Sequence, residues 1–288
     1  SLECTVLEAS RLARDGFGGL VGVGRGSVAE PCLVHLTYRP RRRPRGRLAL
    51  VGKGVTFDAG GLNLKTGKGL ETMKADMAGA AAVLAVLQAA ARLEVPYQLE
   101  GILPLAENLP SGSALRPGDI VRALDGTTIE IVNTDAEGRL ILADAIAYAV
   151  RLPVDGIVEL ATLTGACVVA LGPGTAAVLG EDEPLVARVL DAGRRAGESL
   201  WRLPLLPELQ REVEGEVADL KNAGSREGGA IQGGLFLRRF ARQVPFVHVD
   251  IAGPALAAKE SPLGPKGGTG FGVLTLAELL SPTATPRP

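Results

Sequence analysis

Histidine and cysteine are nearly absent from this chain, and aromatic residues make up only 3% of it. With just His35 and His248 available, a metal centre built from several imidazoles is excluded. So is the histidine-rich form of a two-metal phosphatase or nuclease. The cysteines are Cys4, Cys32 and Cys167, an odd number at wide spacing. They form neither a C-x-x-C pair nor a disulfide framework, so free thiols in a reducing compartment are expected. Excess charge is absent too: the formal net charge is −1, which gives no overall reason for a nucleic-acid or membrane partner. The first residues lack a basic stretch followed by an apolar run, and no stretch of about 18 uncharged apolar residues occurs. A cytoplasmic protein without a membrane span is the expectation.

What is present suits a folded domain. The chain has 288 residues, 46% apolar and 22% charged, enough to bury a large core. Ala, Leu, Val and Gly replace the missing aromatics. Residues 2–8 alternate like a strand, and residues 9–15 read as a short helix ended by Gly16 and the Gly18-Gly19 pair. Strands are predicted at 33–38, 48–51, 99–105, 154–160 and 246–251, with a hairpin turned by Asp125-Gly126 between 120–124 and 128–132. Helices are predicted at 73–93, 138–151, 184–197, 229–242 and 273–280. Strands alternating with helices argue for an α/β fold: a mixed, largely parallel sheet with helices on both faces. Residues 1–288 read as a single domain in which 1–47 lead in and carry a basic, proline-broken loop at 39–47. The tail Ser281–Pro288 is expected to fray.

Two segments carry the chemistry. The first runs Val51-Gly-Lys-Gly-Val-Thr-Phe-Asp-Ala-Gly-Gly61, then Lys65, then Met73-Lys-Ala-Asp-Met77. The second is Asn133-Thr-Asp-Ala-Glu-Gly-Arg-Leu140. Together they set Asp58, Asp76, Asp135 and Glu137 beside Lys53, Lys65 and Arg139, next to glycine-rich turns. Taken singly, each carboxylate reads as a helix cap or dipole partner. Taken together, capping would need seven separate coincidences. Hard oxygen donors with cations among them suit divalent metals and a reaction that builds negative charge.

These segments resemble the leucyl aminopeptidase, or cytosol aminopeptidase, family. N-T-D-A-E-G-R-L at 133–140 resembles its signature, and the similarity continues through Ala161-Thr-Leu-Thr-Gly165, Asn222–Ala230, His248–Pro254 and Gly267–Gly272. The resemblance implies a metal-dependent aminopeptidase that releases an apolar, Leu- or Met-like residue from the N-terminus of a peptide. It implies that Lys53, Asp58, Asp76, Asp135 and Glu137 hold two divalent metal ions, with Asp58 and Glu137 bridging. Zinc or manganese is expected, and cobalt or magnesium is compatible with the donors. Lys53 would have to serve as a neutral amine, which a nearby dication favours. Lys65 would polarise the scissile carbonyl. Arg139 has no basic form at working pH, so its implied part is to grip a bicarbonate that carries the proton. Met73, Thr162, Gly165 and Ala252 would line the pocket for the first side chain, and Leu163 would offer its carbonyl to the substrate amine. Met73 and Ala252 also read as ordinary core residues.

The family further implies a homo-oligomer, a hexamer of two trimers, and a separate N-terminal domain ahead of the catalytic one; this sequence starts at about the catalytic domain. An alternative reading is a hexameric scaffold or DNA-binding relative with weakened activity, motivated by the Arg39–Arg47 run. Nucleic acid is not expected there, because no aromatic residue interleaves with the arginines for base stacking. Gly22-Val-Gly-Arg-Gly26 lacks the spacing of a dinucleotide loop. His248 and His35 are expected to be hydrogen-bonded structural residues.

Overall fold

The computed structural model describes residues 1–260 and 264–281; most of the tail expected to fray lies outside them. The order begins with β1 (Leu2–Leu7), α1 (Ala9–Asp15), α2 (Gly18–Gly24), β2 (Cys32–Tyr38), β3 (Arg47–Gly52) and β4 (Gly54–Asp58). It continues with α3 (Lys68–Glu71), α4 (Ala78–Leu93), β5 (Gln98–Asn108), β6 (Ile120–Arg122), β7 (Thr128–Glu130), α5 (Glu137–Ala149) and β8 (Gly156–Ala161). Then come α6 (Gly165–Leu171), β9 (Ala176–Gly180), α7 (Glu183–Ala196), β10 (Leu200–Arg202), β11 (Leu220–Lys221), α8 (Gly229–Phe240), β12 (Phe246–Asp250) and α9 (Val273–Leu279).

The main sheet runs β1-β2-β5-β3-β8-β12-β9-β10, with β4 paired to β5. The pairs β5-β3, β3-β8 and β8-β12 are parallel, whereas β1-β2, β2-β5 and β12-β9 are antiparallel. This is the mixed, largely parallel sheet expected from the sequence. Every residue of β8 and β9 is buried, as strands covered on both faces require. One face packs α2, α5 and α8 into a core that includes Leu140, Ile141, Phe236 and Phe240. The other packs α4, α7 and α9 around Val83, Leu87, Val189 and Leu276. The segment Met73–Leu93 is apolar and long enough to cross a bilayer by composition, yet Ala80, Val83, Val86, Leu87 and Ala90 are spent on this core.

Three local predictions are revised. The helix over 73–93 is broken: Met73–Ala75 form a 3-10 turn and α4 starts only at Ala78. Its entry is tied to the sheet, since the Ala80 amide donates to the Lys53 carbonyl at 2.8 Å. The Gly18-Gly19 pair does not merely end α1 but starts α2. A Cβ at Gly18 would lie 2.1 Å from the Arg122 carbonyl oxygen and one at Gly19 2.3 Å from that of Leu140, so these glycines permit contact rather than a turn. This also makes Gly22–Gly26 part of a packed helix end. Finally, β9 and α6 went unrecognised, because short, uniformly apolar runs show no period.

Asp144 locks these layers together. Its buried carboxylate accepts the amides of Leu20 at 2.8 Å and Leu124 at 2.7 Å, joining α2 and the β6-β7 hairpin to α5. Asp144→Ala strands those amides in the core and is expected to cost about 2–4 kcal/mol, read from urea unfolding. A cost near zero would mean that water reaches both amides.

Candidate metal centre and active-site cavity

The site forms where the carboxyl ends of β3, β4, β8 and β12 open between the helical layers, the usual place for function in such sheets. Lys53 follows β3 directly. Asp58 closes β4, which shifts register against β5 between Val55 and Phe57, and the chain then turns through Gly60 and Gly61 at φ 90° and 64°. Asp76 sits in the break ahead of α4. Asp135 stands just before α5, and Glu137 is its first residue. Neither α4 nor α5 has a side-chain cap, so Asp76, Asp135 and Glu137 are free of the capping duty that each could have had.

The carboxylates of Asp58, Asp76 and Glu137 are buried and offer oxygens within 4.8 Å of one another. At an effective dielectric of about 20, each such pair repels by roughly 3 kcal/mol or more. Cations must therefore accompany them. Lys53 Nζ lies 2.8 Å from Asp76 Oδ2 and 2.8 Å from Glu137 Oε1, and donates to the Thr162 carbonyl at 3.0 Å. Lys65 Nζ lies 2.8 Å from Asp58 and 2.5 Å from Asp135. Thr162 Oγ1 donates to Asp76 at 2.6 Å, so its hydroxyl serves the carboxylate cluster. Asn108 Nδ2 and the Gly60 amide donate to Asp58 Oδ1 at 2.8 and 2.9 Å.

Burial and crowding shift these groups. Burial pushes the Glu137 carboxyl up to about 8, against the pull of Lys53 and with added repulsion from Asp58 and Asp76. Burial raises Asp76 and Asp135 as well. Burial would depress both lysines, but their carboxylate neighbours outweigh it and hold each ammonium above its ordinary range. Arg139 is drawn down by burial to about 10 and stays cationic at neutral pH. Its guanidinium donates to the carbonyls of Asn222 at 2.8 Å and Gly229 at 3.4 Å.

All twelve residues singled out in the sequence line one cavity of about 630 Å³: Lys53, Asp58, Lys65, Met73, Asp76, Asp135, Glu137, Arg139, Thr162, Leu163, Gly165 and Ala252. The donor set fits divalent cations. It is anionic and oxygen-rich, and Glu137 Oε2 is buried without a hydrogen-bond partner among the described residues. Both histidines lie outside it: His35 bonds Glu100 at 2.9 Å and His248 bonds Glu159 at 2.5 Å.

Residues 1–277 match the cytosol aminopeptidase family, catalytic domain. The chain belongs to that family. It is 50% identical over 279 residues to a probable cytosol aminopeptidase of Syntrophotalea carbinolica, covering 97% of this chain and 56% of that protein. It is 48% identical over 280 residues to one of Gloeobacter violaceus, again covering 97% and 56%. The chain thus spans little more than half the length of the curated relatives it matches. Among solved structures it resembles the bottromycin maturation enzyme BotP, with a TM-score of 0.90 and 52% identity, covering 97% of this chain and 61% of that one. A second structure of that enzyme, in complex with Mn, aligns with a TM-score of 0.92 and 51% identity, covering 97% and 62%.

Sequence reasoning assigned no role to Asn108, Asn222 or Asp250, all buried beside the family's motif segments. Asp250 accepts from Thr164 Oγ1 at 2.7 Å and from the Leu163 amide at 3.2 Å, fixing the turn after β8. Asn222 and Asp250 stand inside matched segments, which was the available signal; Asn108 had none. Close packing also matters: a Cβ at Gly138 would lie 2.7 Å from Lys53 Cε, so any larger residue there must displace the end of that buried lysine. Gly138→Ala is expected to weaken manganese binding by about tenfold in a calorimetric titration, by displacing Lys53. An unchanged affinity would mean that Lys53 does not hold the cation.

Proposed function

We propose that the chain is the catalytic domain of a metal-dependent aminopeptidase that releases an apolar, Leu- or Met-like residue from the N-terminus of peptides. The observation that carries this is the trio Asp58, Asp76 and Glu137, buried within 4.8 Å of one another in a cavity that also holds Lys65 and Arg139. Lys53, Asp58, Asp76, Asp135 and Glu137 would hold two divalent ions, of which manganese is favoured by the Mn complex of the similar BotP. Such a pair supplies Lewis acidity and a water nucleophile at neutral pH.

The remaining work falls to the chain's own cations. Lys53 is 3% exposed and wedged against Gly138, which suits a ligand. Lys65 is 18% exposed, so it is the lysine able to meet a substrate carbonyl and stabilise the charge that develops on its oxygen. Arg139 keeps N–H groups beyond those given to Asn222 and Gly229 with which to grip a planar anion such as bicarbonate. Met73, Thr162, Gly165 and Ala252, which line the cavity, would wall the pocket for the first side chain, and Leu163 would offer its carbonyl to the substrate amine. Homo-oligomer assembly, as a hexamer, and a cytoplasmic setting rest on the family resemblance, with the three unpaired cysteines consistent with the latter. The scaffold reading is disfavoured by an intact set of seven polar site residues. The arginine loop spends part of its charge internally, on Glu3 and Glu94.

Leu-p-nitroanilide should be cleaved in the presence of manganese and not after chelation, while its N-acetylated form stays intact; no cleavage with any divalent metal would defeat the reading. Lys65→Ala and Arg139→Ala should each lower kcat by about 100–1,000-fold with metal still bound. Near-normal turnover in both would overturn the roles given to them.

A further inference from the structure

We propose that Asn222 is a positioning residue that sets the metal-binding loop and Arg139 from one point. Asn222 directly follows β11, which pairs in parallel with β7, and its own amide donates to the Glu130 carbonyl at 3.0 Å. Its side chain is wholly buried. There the Oδ1 atom accepts the amides of Val132 at 2.8 Å and Asn133 at 3.2 Å. The Nδ2 atom donates to the carbonyls of Asn133 at 2.7 Å and Ala136 at 3.3 Å. Its main-chain carbonyl accepts from Arg139 Nη1 at 2.8 Å.

The partners fix the amide's orientation. Two N–H groups meet its oxygen and two C=O groups meet its nitrogen, so a flipped amide would face donor with donor and acceptor with acceptor. An aspartate keeps the shape and the acceptor but turns lone pairs toward the carbonyls of Asn133 and Ala136. The held segment, 132–136, joins β7 to α5 and carries Asp135, and Glu137 follows at once. α5 has no side-chain cap; within its entry turn Asn133 Oδ1 accepts the Asp135 amide at 2.9 Å, and Asn63 Oδ1 accepts the Thr134 amide at 2.8 Å. Asn222 grips both ends of the turn, at Val132–Asn133 and at Ala136, from a distant part of the chain, and the same residue orients the guanidinium. Partners that orient ligands in this way typically govern metal affinity by 10- to 100-fold when removed.

This inference rests on the proposed aminopeptidase reading for its activity arm, but not for its binding arm. The test compares Asn222→Ala and Asn222→Asp with the unaltered chain and with Asp144→Ala, a buried anchor outside the cavity, in manganese titration, thermal midpoint, and kcat and KM for Leu-p-nitroanilide. The expected result is a loss of manganese affinity of about 10- to 100-fold in both Asn222 variants, with kcat falling more than KM rises. Asp144→Ala should lose thermal midpoint yet bind manganese normally. If Asn222→Asp restores affinity and kcat, the residue only fills space and the proposal is overturned. The same holds if Asp144→Ala loses manganese binding in proportion to its midpoint. Should the alanine variant not fold, Asn222→Ser, which leaves a small polar group in the buried space, carries the same comparison. If the unaltered chain binds manganese but cleaves nothing, the activity reading fails while the affinity arm still decides this one.

Discussion

Mutual repulsion among buried carboxylates is the constraint around which the rest of this protein is arranged. Asp58, Asp76 and Glu137 are crowded within 4.8 Å in surroundings that penalise even one of them. Nothing in the fold's own stability calls for such a cluster. It persists because the scaffold supports it: Lys53 and Lys65 supply compensating charge, Asn108 and Gly60 donate to Asp58, and Thr162 donates to Asp76, while Glu137 Oε2 keeps no hydrogen-bond partner among the described residues. Carboxyl groups lifted by burial and lysines held cationic by those same carboxyls are two sides of one imbalance, which divalent cations would resolve.

The scaffold meets this demand by surrounding the site with rigid elements. Central strands covered on both faces provide the floor, and their carboxyl ends bring Lys53, Asp58, Thr162 and Asp250 to one edge. The amide of Ala80 ties the start of α4 to Lys53, and Asn222 ties the entry of α5 to β11. The starts of α4 and α5 are therefore held by tertiary hydrogen bonds instead of by a side-chain cap, whereas α6 keeps its local cap, Thr164. That leaves the nearby carboxylates available for chemistry, and it makes site geometry depend on long-range packing.

The two lysines differ in surroundings more than in charge. Lys53 is enclosed by α5 and the turn after β8, whereas Lys65 lies at the cavity wall on a turn after Gly60-Gly61. Equal side chains thus acquire unequal exposure, and that inequality separates a ligand from an electrophile in the proposed mechanism.

Much of this was legible in the sequence. The glycine-flanked acidic segments, the shortage of histidine and the alternation of apolar strands with Ala-rich helices determined the donor chemistry and the α/β class, since both follow from residue type and local period. The break before α4 was not legible, because the run 73–93 is rich in Ala, Leu and Met with no proline, and the bonds of Lys53 and Thr162 to Asp76 beside the break are tertiary. Nor was the strand β9, whose five buried residues carry no alternation. The role of Asn222 was hidden for a related reason: its partners lie 83 to 92 positions away. Which carboxylates meet, which lysine is enclosed and which asparagine holds the loop were decided only by tertiary structure, because only the order of strands in the sheet brings those distant segments to one edge.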